Sequence, residues 1–295
     1  AVSLPSISLA FGLASMAVFL GGFEYVLDEG PRWDWLDDDS VRAMAVASAL
    51  AGVSFFWRAF ASASPVVELR AFRNRNFAVG SLLQFVLGIG LYGATYILPL
   101  FLGQVRGYNA LQIGETMFVG GLFMFLTAPV AGILSAKLDP RAIIGVGFAL
   151  AAIGLYLNSI VTADSAFWEL FVPQAVRGVG FMLSMVPVTN LALGTLPPDQ
   201  LANASGLFNL MRNMGGAIGL AAINTVMIDR LAVQLSRLSD HLSLARPQVQ
   251  SFIDATSDRM GGQIAGDPTM GAVARLSGLL HREATVLTCS ACLLP

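Results

Sequence analysis

The sequence predicts an all-α polytopic membrane protein. Three observations carry that class: 55% of the 295 residues are hydrophobic, only 12% are charged, and the apolar residues gather in long runs separated by short charged loops. An ordinary soluble domain carries about 25% charged residues. A bilayer core about 30 Å thick needs about 20 apolar residues per helix, because each residue rises ~1.5 Å and lipid offers no partner to an unpaired backbone N–H or C=O. Seven runs meet that length: Leu4 to Leu27, Arg42 to Phe60, Phe77 to Leu102, Thr116 to Ala136, Ala142 to Thr162, Phe167 to Leu196 and Ser205 to Ile228. A truncated eighth run occupies residues 284–295, too short to span.

The elements follow in order. The first two runs, within residues 1–60, are joined by the acidic loop EYVLDEGPRWDWLDDDS. Residues 61–76 form a basic cytoplasmic connector, and the amphipathic stretch VVELRAFRNRNF, residues 66–77, leads into the strongest span, in which nothing charged lies between Arg75 and Arg106. Residues 77–228 hold five spans. The segment 229–283 is partly helical: Leu231, Leu235, Leu238 and Leu242 make one apolar stripe, and Asp267 followed by Pro268 reads as an N-cap and first helical position.

Loop charges orient the spans. Arg58, Arg70, Arg73, Arg75, Lys137 and Arg141 fall on one side, whereas short loops on the other hold only Arg32, Arg42 and Arg106 among many carboxylates. Positive charge is retained inside, so the first side is cytoplasmic. The chain therefore begins in the cytoplasm, in an inner (cytoplasmic) membrane, and segment 229–283 lies outside. A seven-span receptor would keep its amino terminus outside, which this bias opposes.

Several chemistries are excluded. A net charge of −2 gives no electrostatic case for nucleic acid. No cofactor or metal is expected, because two cysteines and two histidines are too few for an ordinary structural zinc site. Cys289 and Cys292 form a C-x-x-C without the βαβ context of a redox site. His241 and His281 fall in the outer segment, so no histidine and acid meet within the membrane and no enzymatic general base is assembled.

What remains inside the membrane is sparse and positional. At 100° per residue, Gln84, Gly88, Tyr92, Thr95 and Pro99 fall within about 80° of one another on the third span. Gln174, Arg177, Phe181 and Ser184 share a face of the sixth span, and Asn209, Arg212, Asn213 and Gly216 one of the seventh. Such faces line either a substrate cavity or a bundle interior, where polar contacts contribute about 0.6–2 kcal/mol each. Gly178 and Gly180 let backbones approach Arg177's helix, and Gly215 with Gly219 is a small-xxx-small packing pair. Pro99, Pro129, Pro173 and Pro187 interrupt spans, as kinks in transporter helices do. Arg177 lies about ten residues, hence about 15 Å, into its span and is expected to face helix carbonyls, Gln174 or a group outside this chain. Glu24 and Glu115 sit near outer helix ends, so no proton relay can be assembled from these residues.

The ordered run LDEGPRWDWLDDDS, VVELRAFRNRNFAVGS, YILPLFLGQVRGYNALQIG and PVTNLALGTLPPDQLANASGLFNLMRNMGGAIG resembles the fourteen-span drug:proton antiporters of the major facilitator superfamily, the EmrB/QacA type. GILSAKLDPR is similar to that superfamily's G-x-L-x-D-R-x-G-R turn, keeping Gly132, Leu134, Lys137 and Arg141 but placing Ala136 where the acid stands. QAVRGVG, residues 174–180, is similar to its R-x-x-Q-G-x-G turn, reordered. The resemblance implies a partial major facilitator bundle: two linker helices, most of the C-terminal bundle, and a first bundle, holding the coupling acid, that is missing. It further implies proton-coupled export of amphipathic or hydrophobic small molecules by alternating access, with lipid and protons as partners and, in a Gram-negative cell, a periplasmic adaptor and outer-membrane channel. The alternative is a non-transporting assembly or scaffold subunit of the membrane.

Overall fold

A computed structural model describes residues 4–33, 35–61, 69–160, 167–198, 200–241, 247–260, 270–271, 275–278 and 284, and among them every regular element is helical. The α-helices are α1 (Leu4–Glu29), α2 (Asp39–Ala61), α3 (Arg75–Gln104), α4 (Ala110–Lys137), α5 (Pro140–Ser159), α6 (Phe167–Leu193), α7 (Leu201–His241) and α8 (Pro247–Met260). Six of them, α2 to α7, contain a stretch long and apolar enough to cross a membrane. Cys289, Cys292, His281 and the Asp267–Pro268 pair lie outside the described residues, as does residue 285 onward of the eighth run.

Side chains that satisfy orphan N–H groups set the helix starts. Asn74 caps α3 by accepting from the N–H groups of Asn76 and Phe77. Asn109 and Gln112 close a reciprocal capping box on α4. Asp139 caps α5 ahead of Pro140, whose missing N–H is harmless in the first turn. Asp38 Oδ1 accepts from the N–H groups of Ser40 (2.8 Å) and Val41 (3.1 Å), and the Val41 bond foremost holds this carboxyl below its ordinary range. Gly107, at φ 65°, takes the left-handed turn that ends the α3–α4 link. Pro99, Pro129, Pro173 and Pro187 all lie inside helices.

The seventh span differs most from expectation. Its apolar pattern ends at Ile228, yet α7 continues to His241, 41 residues in all. Nothing between Asp229 and His241 is a glycine or proline, so the helix outlasts the hydrocarbon that its apolar part matches. Leu231, Leu235 and Leu238 of the expected apolar stripe thus lie on α7 itself, and Leu242 lies outside the described residues.

Helix pairing is set by small residues. Helices α1 and α2 form an antiparallel hairpin in which Ser48 Oγ donates to the Phe19 carbonyl at 2.8 Å and a Cβ on Gly52 would meet the Phe19 ring at 2.7 Å. Helices α3 and α7 run parallel, with Gly215 against the Phe85 carbonyl, Gly219 against Ile89 and Gly88 against the Arg212 carbonyl. Helix α6 is the hub. It lies antiparallel to α5, where Gly147, Ala151 and Gly154 face Ser184, Gly180 and Arg177 in turn, and Gly178 meets the Gly120 carbonyl of α4. Between helices in lipid, association rests on such close packing, because hydrocarbon is no less apolar than leucine.

Two apolar clusters close the bundle at opposite ends. Phe77, Ile144, Val188, Ala192, Leu207 and Phe208 pack at the basic end, joined by Phe55 of α2. Ile97, Phe101, Leu102, Val105 and Leu170 pack at the acidic end. Large apolar side chains stay outside: Trp57, Phe118, Phe125 and Trp168 are exposed, the surface expected of helices solvated by lipid.

Candidate functional site: two polar faces of the bundle

Nine of the ten residues expected around a substrate cavity separate into two groups, and Gln84 stands apart from both. The first is the seam of α4, α5 and α6. Gln174 is fully buried, and its Nε2 donates to Asn158 Oδ1 at 3.2 Å, while Asn158 Nδ2 donates to the Gly154 carbonyl at 3.0 Å. Gln174 Oε1 is buried without a hydrogen-bond partner among the described residues. One turn on, Arg177 is 7% exposed and makes no hydrogen bond or ion pair with any described residue.

Gly120 makes the room for this pair. A Cβ there would stand 3.3 Å from Arg177 Nη2 and 3.4 Å from Gln174 Oε1. The expected pairing of Arg177 with Gln174 or a helix carbonyl is therefore not what the fold builds. Gln174 donates to Asn158 through Nε2, and its Oε1 takes no donor from Arg177. Farther along, Phe181 packs with Leu87 of α3 and Ala151 of α5, and Ser184 Oγ donates to the Gly180 carbonyl at 3.0 Å, both as packing residues.

The second group lies along α3 and α7. Tyr92 Oη donates to Asn213 Oδ1 at 3.1 Å. Arg212 Nη2 donates to Asn209 Oδ1 at 2.6 Å, and its Nη1 approaches Met185 Sδ of α6 at 3.7 Å. Tyr92, Thr95, Asn209 and Asn213 are exposed along helices that are otherwise apolar outside. Thr95 Oγ1 donates to the Leu91 carbonyl of its own helix at 2.7 Å. Gln84 stands apart from this strip: it is fully buried, and neither amide atom has a partner among the described residues, like the neighbouring Ser81 Oγ.

Cavities open on the flank of this strip, where α1 lies beside α7. One of 270 Å³ is lined by Leu20, Phe23, Glu24, Tyr92, Asn213 and Met214. Glu24, expected at an outer helix end, thus reaches the same space as the central Tyr92–Asn213 pair. Sequence reasoning also missed Asn158, Gly120, Gly147 and Gly154. The last two are legible in hindsight, since Gly147, Ala151, Gly154 and Asn158 recur every three or four residues on one face of α5.

An all-helical membrane bundle with short links, glycine-mediated crossings and polar faces at membrane depth defines a polytopic transporter-like protein. The Major Facilitator Superfamily model matches residues 2–220, and the chain belongs to that family. It is an integral membrane protein. It is 43% identical over 233 residues to the Colistin resistance protein EmrB of Acinetobacter baumannii, covering 79% of this chain and 46% of the relative. Identity to the Multidrug export protein EmrB of Haemophilus influenzae is 29%, covering 82% and 48%. To the Fatty acid resistance protein FarB of Neisseria gonorrhoeae it is 28%, covering 79% and 46%. The chain spans about half the length of these curated relatives.

Proposed function

We propose that the chain is the C-terminal part of a proton-coupled secondary transporter that exports amphipathic or hydrophobic small molecules from the cytoplasm by alternating access. The observation that supports this most is the exposed strip of Tyr92, Thr95, Asn209 and Asn213. Polar side chains at membrane depth are disfavoured against lipid, so a strip left open on the bundle surface fits the wall of a water-accessible pathway shared with a second bundle. The printed names of the relatives, multidrug export and resistance, point the same way.

In this reading the strip binds substrate loosely through Tyr92, Asn209 and Asn213, and Arg212 adds a cation tethered to Asn209. The small-residue crossings between α3 and α7 keep these side chains in register while the bundle rocks as a unit. The helix ends at Arg58, Arg73 and Arg141 lie on the cytoplasmic side of the inner membrane in this reading. The test is drug efflux from cells lacking their own pumps, using the intact gene product. Wild type lowers the accumulation of a fluorescent amphipathic dye, and Asn213→Ala with Tyr92→Phe reduces the rate severalfold at unchanged membrane abundance. Unchanged dye accumulation with wild type would favour a scaffold role.

A further inference from the structure

The cavities beside α1 carry one inference beyond the exporter reading, and it rests on that reading for the route the ligand takes. The 270 Å³ cavity shares Glu24, Ala217 and Leu220 with a second of 320 Å³, which also has Asp28 in its wall. Asp28 in turn lines a third, also of 320 Å³, together with Arg32, Tyr96 and Asn224. These spaces follow one another along the α1–α7 flank, sharing wall residues, from the Tyr92–Asn213 pair toward the acidic end of the protein, and together make a segmented groove.

Its chemistry is uneven in a useful way. The inner part is apolar and aromatic, with Leu20, Phe23, Leu210 and Met214 around the Tyr92 ring. Glu24 stands over this part, and neither it nor Asp28 makes a hydrogen bond or ion pair with any described residue. Among the described residues the one cation in the groove wall is Arg32, which is already paired with Glu29 at 3.1 Å. Glu24 lies five residues before the end of α1, about 8 Å inside it, and its side chain is exposed to the groove.

We propose that Glu24, supplied by α1 and not by the helices of the bundle, is a specificity-determining residue that makes this groove a site for amphipathic organic cations. The hydrophobic body packs on Leu20, Phe23 and Met214. The positive centre lies between the Glu24 carboxylate and the faces of Phe23 and Tyr92, which attract cations through their ring quadrupoles. Asp28 raises the local concentration of cations at the mouth. An anionic amphipath of the same shape meets two unpaired carboxylates and is rejected, so selectivity here is for sign of charge and not for shape.

The experiment uses the purified intact gene product in nanodiscs and a pair of ions of nearly equal size, tetraphenylphosphonium and tetraphenylborate, with binding followed by equilibrium dialysis. Wild type favours the cation. Glu24→Gln weakens tetraphenylphosphonium about tenfold and strengthens tetraphenylborate, so the ratio of the two affinities moves by more than tenfold. Glu24→Asp keeps the preference, and Glu115→Gln, an acid on α4 away from the groove, leaves both affinities unchanged. Equal changes for both ions, or no change for either, would overturn the proposal. Disappearance of the Glu24 effect in nanodiscs free of phosphatidylethanolamine would assign the groove to a lipid ammonium and overturn it as well. Glu24-dependent binding by a wild type that exports nothing would instead sink the exporter reading and leave this site standing.

Discussion

A methyl group on Gly154 would lie 2.7 Å from the backbone nitrogen of Arg177 and 2.8 Å from its Cβ, so α5 and α6 touch backbone to backbone where the buried cation sits. Separations that short are not tolerated by real Cβ atoms, and neither wall is a flexible tip. Gly154→Val is expected to destabilise the protein by about 1–3 kcal/mol, the usual range for overpacking. Thermal unfolding in detergent checks this. Gly145→Ala, on the same helix but with nothing within 4 Å of its added methyl, serves as the control and keeps or slightly raises Tm. Equal effects at both positions would mean that helix propensity, and not the crossing, sets the response.

The helices were legible because apolar run length is fixed by the bilayer and because caps such as Asn74, Asn109 and Asp139 announce starts. Polar faces were legible one helix at a time, through the 100° periodicity that groups Gln174 with Arg177 and Asn209 with Asn213. Their partners were not. Asn158 accepts from Gln174 across sixteen residues of chain, and Glu24 shares a cavity wall with Tyr92 and Asn213 from another helix, relationships that depend on how helices cross. Periodicity within a helix carries no information about that. Hydropathy ends the seventh span at Ile228 without fixing where its helix ends, because hydropathy reports where lipid stops, whereas a helix stops only where its backbone is broken or capped.

Orientation is open to a direct measurement. The α4–α5 turn holds Asp139 at the end rich in Lys137 and Arg141, and the α1–α2 turn holds Asp38 at the acidic end. Single cysteines at Asp139 and Ser64 are expected to resist an impermeant thiol reagent in whole cells, whereas cysteines at Asp38 and Ser257 label. The reverse labelling pattern would invert the protein in the membrane and place the groove mouth on the cytoplasmic side.

Alternating access needs two repeats rocking about a site between them, and this chain spans about half of its relatives. Expressed by itself, the 295-residue chain is expected to insert and bind but not to transport. Reconstitution in liposomes with an imposed proton gradient measures this. Efflux by the purified chain would require two copies to supply the two halves, and crosslinking across the Tyr92–Asn213 strip would then be the next observation to seek.

Arg177 separates a structural from a functional role most cleanly, because no described residue holds it. On insertion scales a guanidinium at membrane depth costs at least about 2.5 kcal/mol, and here Gly120, Gly154 and Gly178 bring backbone against its helix without supplying a counter-charge. Removing a charge with no partner breaks no ion pair, so a neutral replacement relieves its desolvation. Arg177→Gln in the intact gene product is therefore expected to keep its membrane abundance and to lower Tm by no more than about 3 °C. The same variant is expected to lose most drug efflux, since a retained buried cation implies an anionic partner met during the transport cycle. Arg177→Lys restores efflux only in part, because an ammonium lacks the planar fork of donors that a carboxylate accepts in two places. Loss of the glutamine variant from the membrane would show that Arg177 locks α6 to its neighbours, and normal export by it would leave the charge with neither role.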